Sequence, residues 1–199
     1  MDELEPQIPR SHTSRQDAFA FIWETIKVVV VSLAIILPIR YFLVQPFFVK
    51  GASMEPTFED GNYILIDEIS YRLHEPKRGD IIVFRFPQEQ TQFFIKRIIG
   101  LPGETVEVKN DQITIYNKDN PNGFILDENQ YLPKYQQTLG NSRFTIDLNN
   151  YFVLGDNRTR SSDSRIWGEV NKSLVTGRVF FRALPIKNLG RFPEVKYQN

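Results

Sequence analysis

Residues 19–48 read FAFIWETIKVVVVSLAIILPIRYFLVQPFF, the longest apolar stretch of a 199-residue chain. Its uncharged centre runs from Val28 to Ile39, between Lys27 and Arg40. That centre alone is too short to cross a bilayer, which takes about 20 apolar residues in a helix. Adding Phe19 to Trp23 makes the span long enough, because Glu24 and Lys27 stand three apart and can pair, and the lysine stem can carry its charge towards an interface. Trp23 at one end and Tyr41 and Phe42 at the other then serve as an aromatic belt. A buried core helix and a cleaved signal peptide are the other readings. No small-x-small pair follows the run, which exits through Pro38-Ile39-Arg40-Tyr41-Phe42. The segment is therefore expected to be an uncleaved transmembrane anchor over residues 19–44, preceded by a mobile polar tail, residues 1–18, that carries Pro6 and Pro9. Arg10, Arg15 and Lys27 on one side face Arg40 and Lys50 on the other, a slight bias towards an amino terminus on the inside.

Beyond Phe48 the pattern changes to short alternating runs separated by turn residues, which predicts a mainly β domain over residues 45–199. Strands are expected at 62–66, 80–86, 92–99, 105–108, 112–116, 144–146, 151–154 and 174–183, with little room for helix. Asp60-Gly61, Lys77-Arg78-Gly79-Asp80, Leu101-Pro102-Gly103 and Asn120-Pro121-Asn122-Gly123 supply the turns. VEVKNDQITIY reads as a hairpin with Asn110-Asp111 at its tip. The polar, irregular stretch 117–150 belongs to a small insertion, about 104–150, expected at the rim of the β domain.

Composition narrows the chemistry. Lys+Arg and Asp+Glu both number 24, and no basic run offers phosphate a footprint, so nucleic acid is not an expected partner. The absence of cysteine removes thiolate chemistry, and His12 and His74 are too few for a histidine-rich metal site. A serine nucleophile needs a proton acceptor. His12 precedes the anchor and His74 sits in a turn, which leaves a lysine held neutral by an apolar site. Lys96, in FFIKRIIG, has the environment: alternation puts Phe94, Lys96 and Ile98 on one face and Ile95, Arg97 and Ile99 on the other. The plainer reading is an edge lysine that snorkels out of its strand. GASMEPT around Ser53 can be an ordinary turn, and GDNRTRSSDSRIWG, residues 155–168, an ordinary surface loop.

Taken together, the three stretches resemble the type I signal peptidases. GASMEPT matches that family's serine box, KRIIGLPGETVEV its lysine box, GDNRTRSSDSRIWG its Gly-Asp-Asn loop, and RGDIIVF a further strand, in the family's order and after an amino-terminal anchor. The resemblance covers residues 20–185. It implies a β-rich, membrane-anchored Ser/Lys endopeptidase without a metal or organic cofactor, which removes signal peptides from secretory precursor proteins at the outer face of a lipid bilayer. Ser53 is then the nucleophile and Lys96 the general base. Ser161 orients the lysine amine, Asp163 and Arg165 form an ion pair, and Asp156 and Asn157 shape the loop. Met54 helps line the cleft, while Phe47, Phe94 and Ile95 line apolar pockets for small residues before the cut. Many relatives carry an oxyanion-donating hydroxyl two positions before the nucleophile; here that position is Gly51, so the backbone N–H of Ser53, helped by that of Gly51, is expected to serve. Self-cleaving Ser/Lys repressor-type proteins, which lack an anchor, and a tethered module that holds precursors without cutting them are the alternatives.

Overall fold

The computed structural model describes residues 15–38, 44–192, 195 and 197. Of the expected tail, residues 1–14 lie outside the described residues, whereas residues 15–18 form the first turn of a helix; the exit segment with Tyr41 and Phe42 also lies outside the described residues. The chain divides into two compact units, residues 1–41 and 42–199.

Among the described residues, the first unit contains one helix, α1 (Arg15–Pro38), of which Asp17–Leu37 is long and apolar enough to cross a membrane. Its 24 residues extend about 36 Å, against a hydrocarbon core of about 30 Å. The run Val28–Val31 would favour a strand in water. A helix bonds all its backbone groups within one segment, the form a single apolar span requires in lipid. Lys27 Nζ meets Glu24 Oε1 at 2.7 Å, as the spacing predicts, and Thr25 Oγ1 donates to the Phe21 carbonyl at 2.9 Å, so these polar groups are paired within the helix.

The second unit is mainly β. Its larger sheet contains β1 (Val44–Phe48), β2 (Tyr63–Asp67), β3 (Ile81–Phe86), β4 (Glu89–Gly100), β9 (Asn150–Leu154), β10 (Val170–Asn171), β11 (Val175–Leu184) and β12 (Gly190–Arg191). Its order is β1-β2-β11-β3-β4-β9-β10, with β12 beside β11. Phe47 pairs with Ile64 across β1 and β2, and Lys96 with Ile82 across β4 and β3, all antiparallel. A smaller sheet, ordered β7-β6-β5-β8, is built from β5 (Thr105–Lys109), β6 (Gln112–Tyr116), β7 (Phe124–Ile125) and β8 (Ser142–Thr145). Among the described residues, helix is confined here to the four-residue turns α2 (Ser70–Leu73) and α3 (Ser164–Trp167) and two 3-10 turns.

The β5–β6 hairpin turns at Asn110 and Asp111, both with positive φ, 50° and 65°, the paired left-handed conformation that Asn and Asp tolerate best after glycine. The polar stretch after Tyr116 is more than rim decoration. It contributes β7 and β8 and buries Leu126 and Ile146 with Val106, Val108, Ile113 and Ile115 in a core shared with Ile99, Phe152 and Leu154 of the larger sheet. These buried residues are too widely spaced to show a period. The strand β1 was not among those expected, because VQPFF continues the apolar run before it and contains a proline. Pro46 is tolerated because, among the described residues, β1 pairs on one side only, with β2.

Candidate active site

Ser53 lies in the connection between β1 and β2. That loop closes on itself: Val49 N donates to Asn62 O at 2.9 Å, Gly61 N to Val49 O at 2.9 Å, and Gly51 N to the Asp60 carboxylate at 2.6 Å. Gly51 has φ +85°, a conformation that costs other L residues roughly 1–2 kcal/mol, so glycine is required there for the turn itself. Its N–H is already engaged by Asp60, which argues against the expected service as an oxyanion donor. The Ser53 N–H makes no hydrogen bond among the described residues.

Lys96 reaches this loop from β4. The strand is exposed at its start and fully buried from Lys96 onward, and Lys96 itself is only 3% exposed. This is no snorkelling edge lysine. Its Nζ lies 2.8 Å from Ser53 Oγ and donates to the Ile95 carbonyl at 2.9 Å. Burial lowers its pKa from the usual 10.5 to about 8, against the opposing fields of Asp163 and Asp156, so near-neutral solution leaves a useful fraction of the amine unprotonated.

The loop after β9 wraps the pair from behind. Asn157 N donates to the Ser53 carbonyl at 3.0 Å. Asp163 is fully buried and meets Arg165 through both carboxylate oxygens, Nε at 2.8 Å and Nη2 at 2.8 Å, while it accepts from Gly155 N at 3.1 Å. The expected Asp163–Arg165 pair is therefore present. Ser161 differs from expectation: its Oγ is buried against Gly155 and has no hydrogen-bond partner among the described residues, and the Ile95 carbonyl holds the lysine amine instead. A Cβ on Gly155 would lie 2.6 Å from Ser161 Cβ and still closer to the Ser53 carbonyl and Ser161 Oγ, so only glycine fits there.

A second basic residue, passed over in the sequence as the partner face of Lys96, organises the rest. Arg97 is 3% exposed and grips Asp156 with Nε at 2.9 Å and Nη2 at 2.7 Å, while Nη1 donates to Gly79 O. Asp156 also accepts from Thr57 Oγ1 at 2.6 Å. One carboxylate therefore joins the serine loop, the lysine strand and the Gly155–Asp163 loop. A buried pair of this kind adds little net stability, but removing one partner costs about 3–5 kcal/mol. The sequence signal was an arginine inside an apolar strand followed by an aspartate in a motif loop.

Beside Ser53 and Lys96 opens a cleft of about 650 Å³ lined by Phe47, Val49, Ile64, Val83, Phe94 and Ile95 among others. The structure thus brings Phe47, Phe94 and Ile95 together at the dyad. Met54 is not part of the lining. It is wholly buried and packs beneath with Val49, Phe58 and Ile64, because the turn after Ser53 sends the next side chain inward. Two strand edges flank the cleft. Among the described residues β1 pairs only with β2, and β4 pairs with β9 only from Arg97 onward. The backbone of Phe93–Lys96 is thus paired on the β3 side alone, and an extended peptide in the cleft meets unpaired backbone from both strands.

Comparison with known proteins gives a consistent picture. The family described as Signal peptidase, peptidase S26, matches residues 22–184. The chain is 37% identical over 201 residues to a signal peptidase I of Leptolyngbya laminosa, covering 95% of this chain and 94% of the relative. It is 36% identical to the probable signal peptidase I-1 of a Synechocystis strain, over 86% of this chain and 87% of that protein. A signal peptidase I of Bacillus caldolyticus is also 36% identical, over 79% of this chain and 88% of its own length.

Proposed function

Because the chain belongs to the signal peptidase family, peptidase S26, we propose that Ser53 and Lys96 are the nucleophile and base with which this serine peptidase cuts signal peptides from secreted precursors. The observation that carries the reading is the 2.8 Å approach of a buried lysine amine to a serine hydroxyl at the wall of an apolar cleft. In the first step neutral Lys96 Nζ accepts the Ser53 hydroxyl proton as Oγ forms a bond to the scissile carbonyl carbon. The tetrahedral oxyanion is met by the N–H of Ser53, since Gly51 N–H is committed to Asp60. Collapse expels the leaving amine, which takes the proton back from Lys96, and an ester on Ser53 remains. Water then repeats the sequence, with Lys96 again as acceptor, and releases the signal peptide as a carboxylate.

The Ile95 carbonyl fixes the amine from one side. Ser161, whose buried hydroxyl makes no hydrogen bond to the resting amine, is assigned the role of orienting the ammonium that forms during the intermediate. Asp163 with Arg165, and Asp156 with Arg97, hold the loops in place. Phe47, Phe94 and Ile95 favour small side chains at the first and third positions before the cut, which leaves room for peptide backbone to pair with β1 and β4. The helix α1 is compatible with a single-pass membrane anchor. We assign it to the cell membrane, with the amino terminus on the cytoplasmic side and the β-rich catalytic domain on the outer face, where membrane-inserted precursors present their cleavage sites.

The test is cleavage, by purified full-length protein in detergent, of a precursor whose signal peptide ends in Ala-x-Ala. Cutting after the second alanine is expected, with loss of at least about a hundredfold in kcat/KM when either alanine becomes Leu, since a pocket built for a small group must distort to admit a large one. Equal cleavage of both precursors removes the assignment of the pockets. No cleavage of either removes the enzymatic reading.

A further inference from the structure

Two arginines flank the catalytic pair without touching substrate space, and both are held by one short segment of the insertion. Arg97 follows Lys96 in β4, and Arg158 lies three residues beyond Gly155. The face of the Arg97 guanidinium stacks on the ring of Tyr131 at 3.9 Å, while its edge is taken up by Asp156 and Gly79. Arg158, whose side chain is wholly buried, is gripped by Glu128 through Nη1 at 2.8 Å and Nη2 at 2.5 Å, and Thr138 Oγ1 accepts from Nη1 at 2.7 Å. Its Nε donates to the Gly155 carbonyl at 3.0 Å, and its own carbonyl accepts from Arg165 Nη2 at 2.7 Å.

The segment that supplies these partners, ENQYLPKYQQT over residues 128–138, is tied internally. Tyr131 Oη donates to Glu128 at 2.5 Å, Leu132 N donates to Glu128 O at 2.9 Å, and Gln136 N to Pro133 O at 2.9 Å. Its far end is fastened to the β5–β6 hairpin tip, where Thr138 N donates to Asp111. Tyr197 Oη adds a contact to Tyr131 Oη at 3.2 Å.

We propose that residues 128–138 form a positioning strap, in which Glu128 and Tyr131 hold the guanidinium groups of Arg158 and Arg97 and thereby keep Lys96 sealed against Ser53, an inference that rests on the Ser53–Lys96 reading above. The chain of contacts is short. Glu128 holds Arg158, Arg158 holds the Gly155 carbonyl, and Gly155 abuts the Ser53 carbonyl. Tyr131 caps Arg97, whose partner Asp156 ties the lysine strand to the serine loop through Thr57. A guanidinium without Glu128 remains charged in a buried place and must turn towards water, which releases the Gly155 carbonyl. Glu128 and Tyr131 are thus positioning residues, needed for turnover and not for binding substrate.

The experiment is steady-state cleavage of the Ala-x-Ala precursor from pH 6 to 10 by full-length Tyr131→Leu, Tyr131→Phe and Glu128→Ala proteins, each below its own Tm, beside wild type and Ser53→Ala. Tyr131→Leu and Glu128→Ala are expected to lower kcat about 10- to 100-fold, the scale of a small misplacement of reacting groups, with KM within about threefold. Their rising limb of kcat/KM is expected to move up by about one pH unit, since water reaching Lys96 removes part of the burial that lowers its pKa. Asp156 and Asp163, the carboxylates whose fields act on Lys96, are unchanged in these variants. Tyr131→Phe keeps the ring beneath Arg97 and should restore most of kcat and the original limb. If Glu128→Ala does not fold, Tyr131→Leu decides. A lower Tm with kcat and limb unmoved, or a raised KM with kcat unmoved, overturns the strap. Turnover by Ser53→Ala would instead overturn the dyad, so the two failures are distinguishable.

Discussion

Lys96→Ala, Lys96→Arg and Ser53→Ala are each expected to reduce precursor cleavage by at least roughly a thousandfold while the circular dichroism of the β unit is retained. The arginine variant is the informative one. It preserves positive charge and length, but a guanidinium stays protonated throughout the accessible pH range and cannot accept the Ser53 proton. It also has to enter a site that is 3% exposed and shaped around an amine in contact with Ser53 Oγ and the Ile95 carbonyl. A residue that acted only through charge, for example by attracting a carboxylate on the substrate, would tolerate this exchange. Quantitative cleavage assays with each variant at matched concentration separate the two, and near-normal turnover by Lys96→Arg sinks the base assignment.

Gly155→Ala is expected to lower kcat by about a hundredfold or more although the residue never meets substrate. Its added methyl group would press on the Ser53 carbonyl and the Ser161 hydroxyl, and neither can yield cheaply. The first is main chain, held in place by the Asn157 N–H at 3.0 Å, and the second is buried. The loop therefore has to retreat from Ser53, and the Gly155 links to Asp163 and Arg158 go with it. Loss of kcat with KM little changed and with the fold retained is the expected pattern in kinetics paired with thermal melting. A Gly155→Ala enzyme with wild-type kcat would show that the loop and the nucleophile are not mechanically coupled.

The parts of this site that were legible in the sequence are those where chemistry and local pattern coincide. Ser53 stands in a glycine-led turn after the anchor, and Lys96 is the lysine with apolar neighbours on both strand faces, but each also had a plainer reading, and it was the family resemblance of the three motifs together that paired them. Met54 shows the limit of that reasoning: the resemblance implied a cleft wall, but the turn geometry buries it in the core. Gly51 is similar, since an available N–H could be inferred from sequence while the Asp60 carboxylate that engages it could not. The contacts that position the pair were hidden for a different reason. Arg97 with Asp156 spans 59 positions, and Glu128 with Arg158 spans 30 through irregular chain. Neither spacing has a period, and nothing local to Arg97 or Arg158 names its distant partner. In the fold, alternation located most of the strands, whereas β1 was masked by the apolar run it continues and β7 by its length of two residues.

The central claim is that a lysine made neutral by burial activates Ser53, and the pH dependence of kcat/KM on a precursor without titrating groups near its cleavage site tests it most directly. Below a pKa of about 8 the amine is protonated and cannot accept a proton, so the rate should fall close to tenfold per pH unit; above it the amine is free and the rate should level off. Measured from pH 6 to 10 on stable full-length enzyme, a single rising limb centred near 8 is the predicted result. A flat profile, or a limb at the unperturbed lysine value of about 10.4, would contradict it.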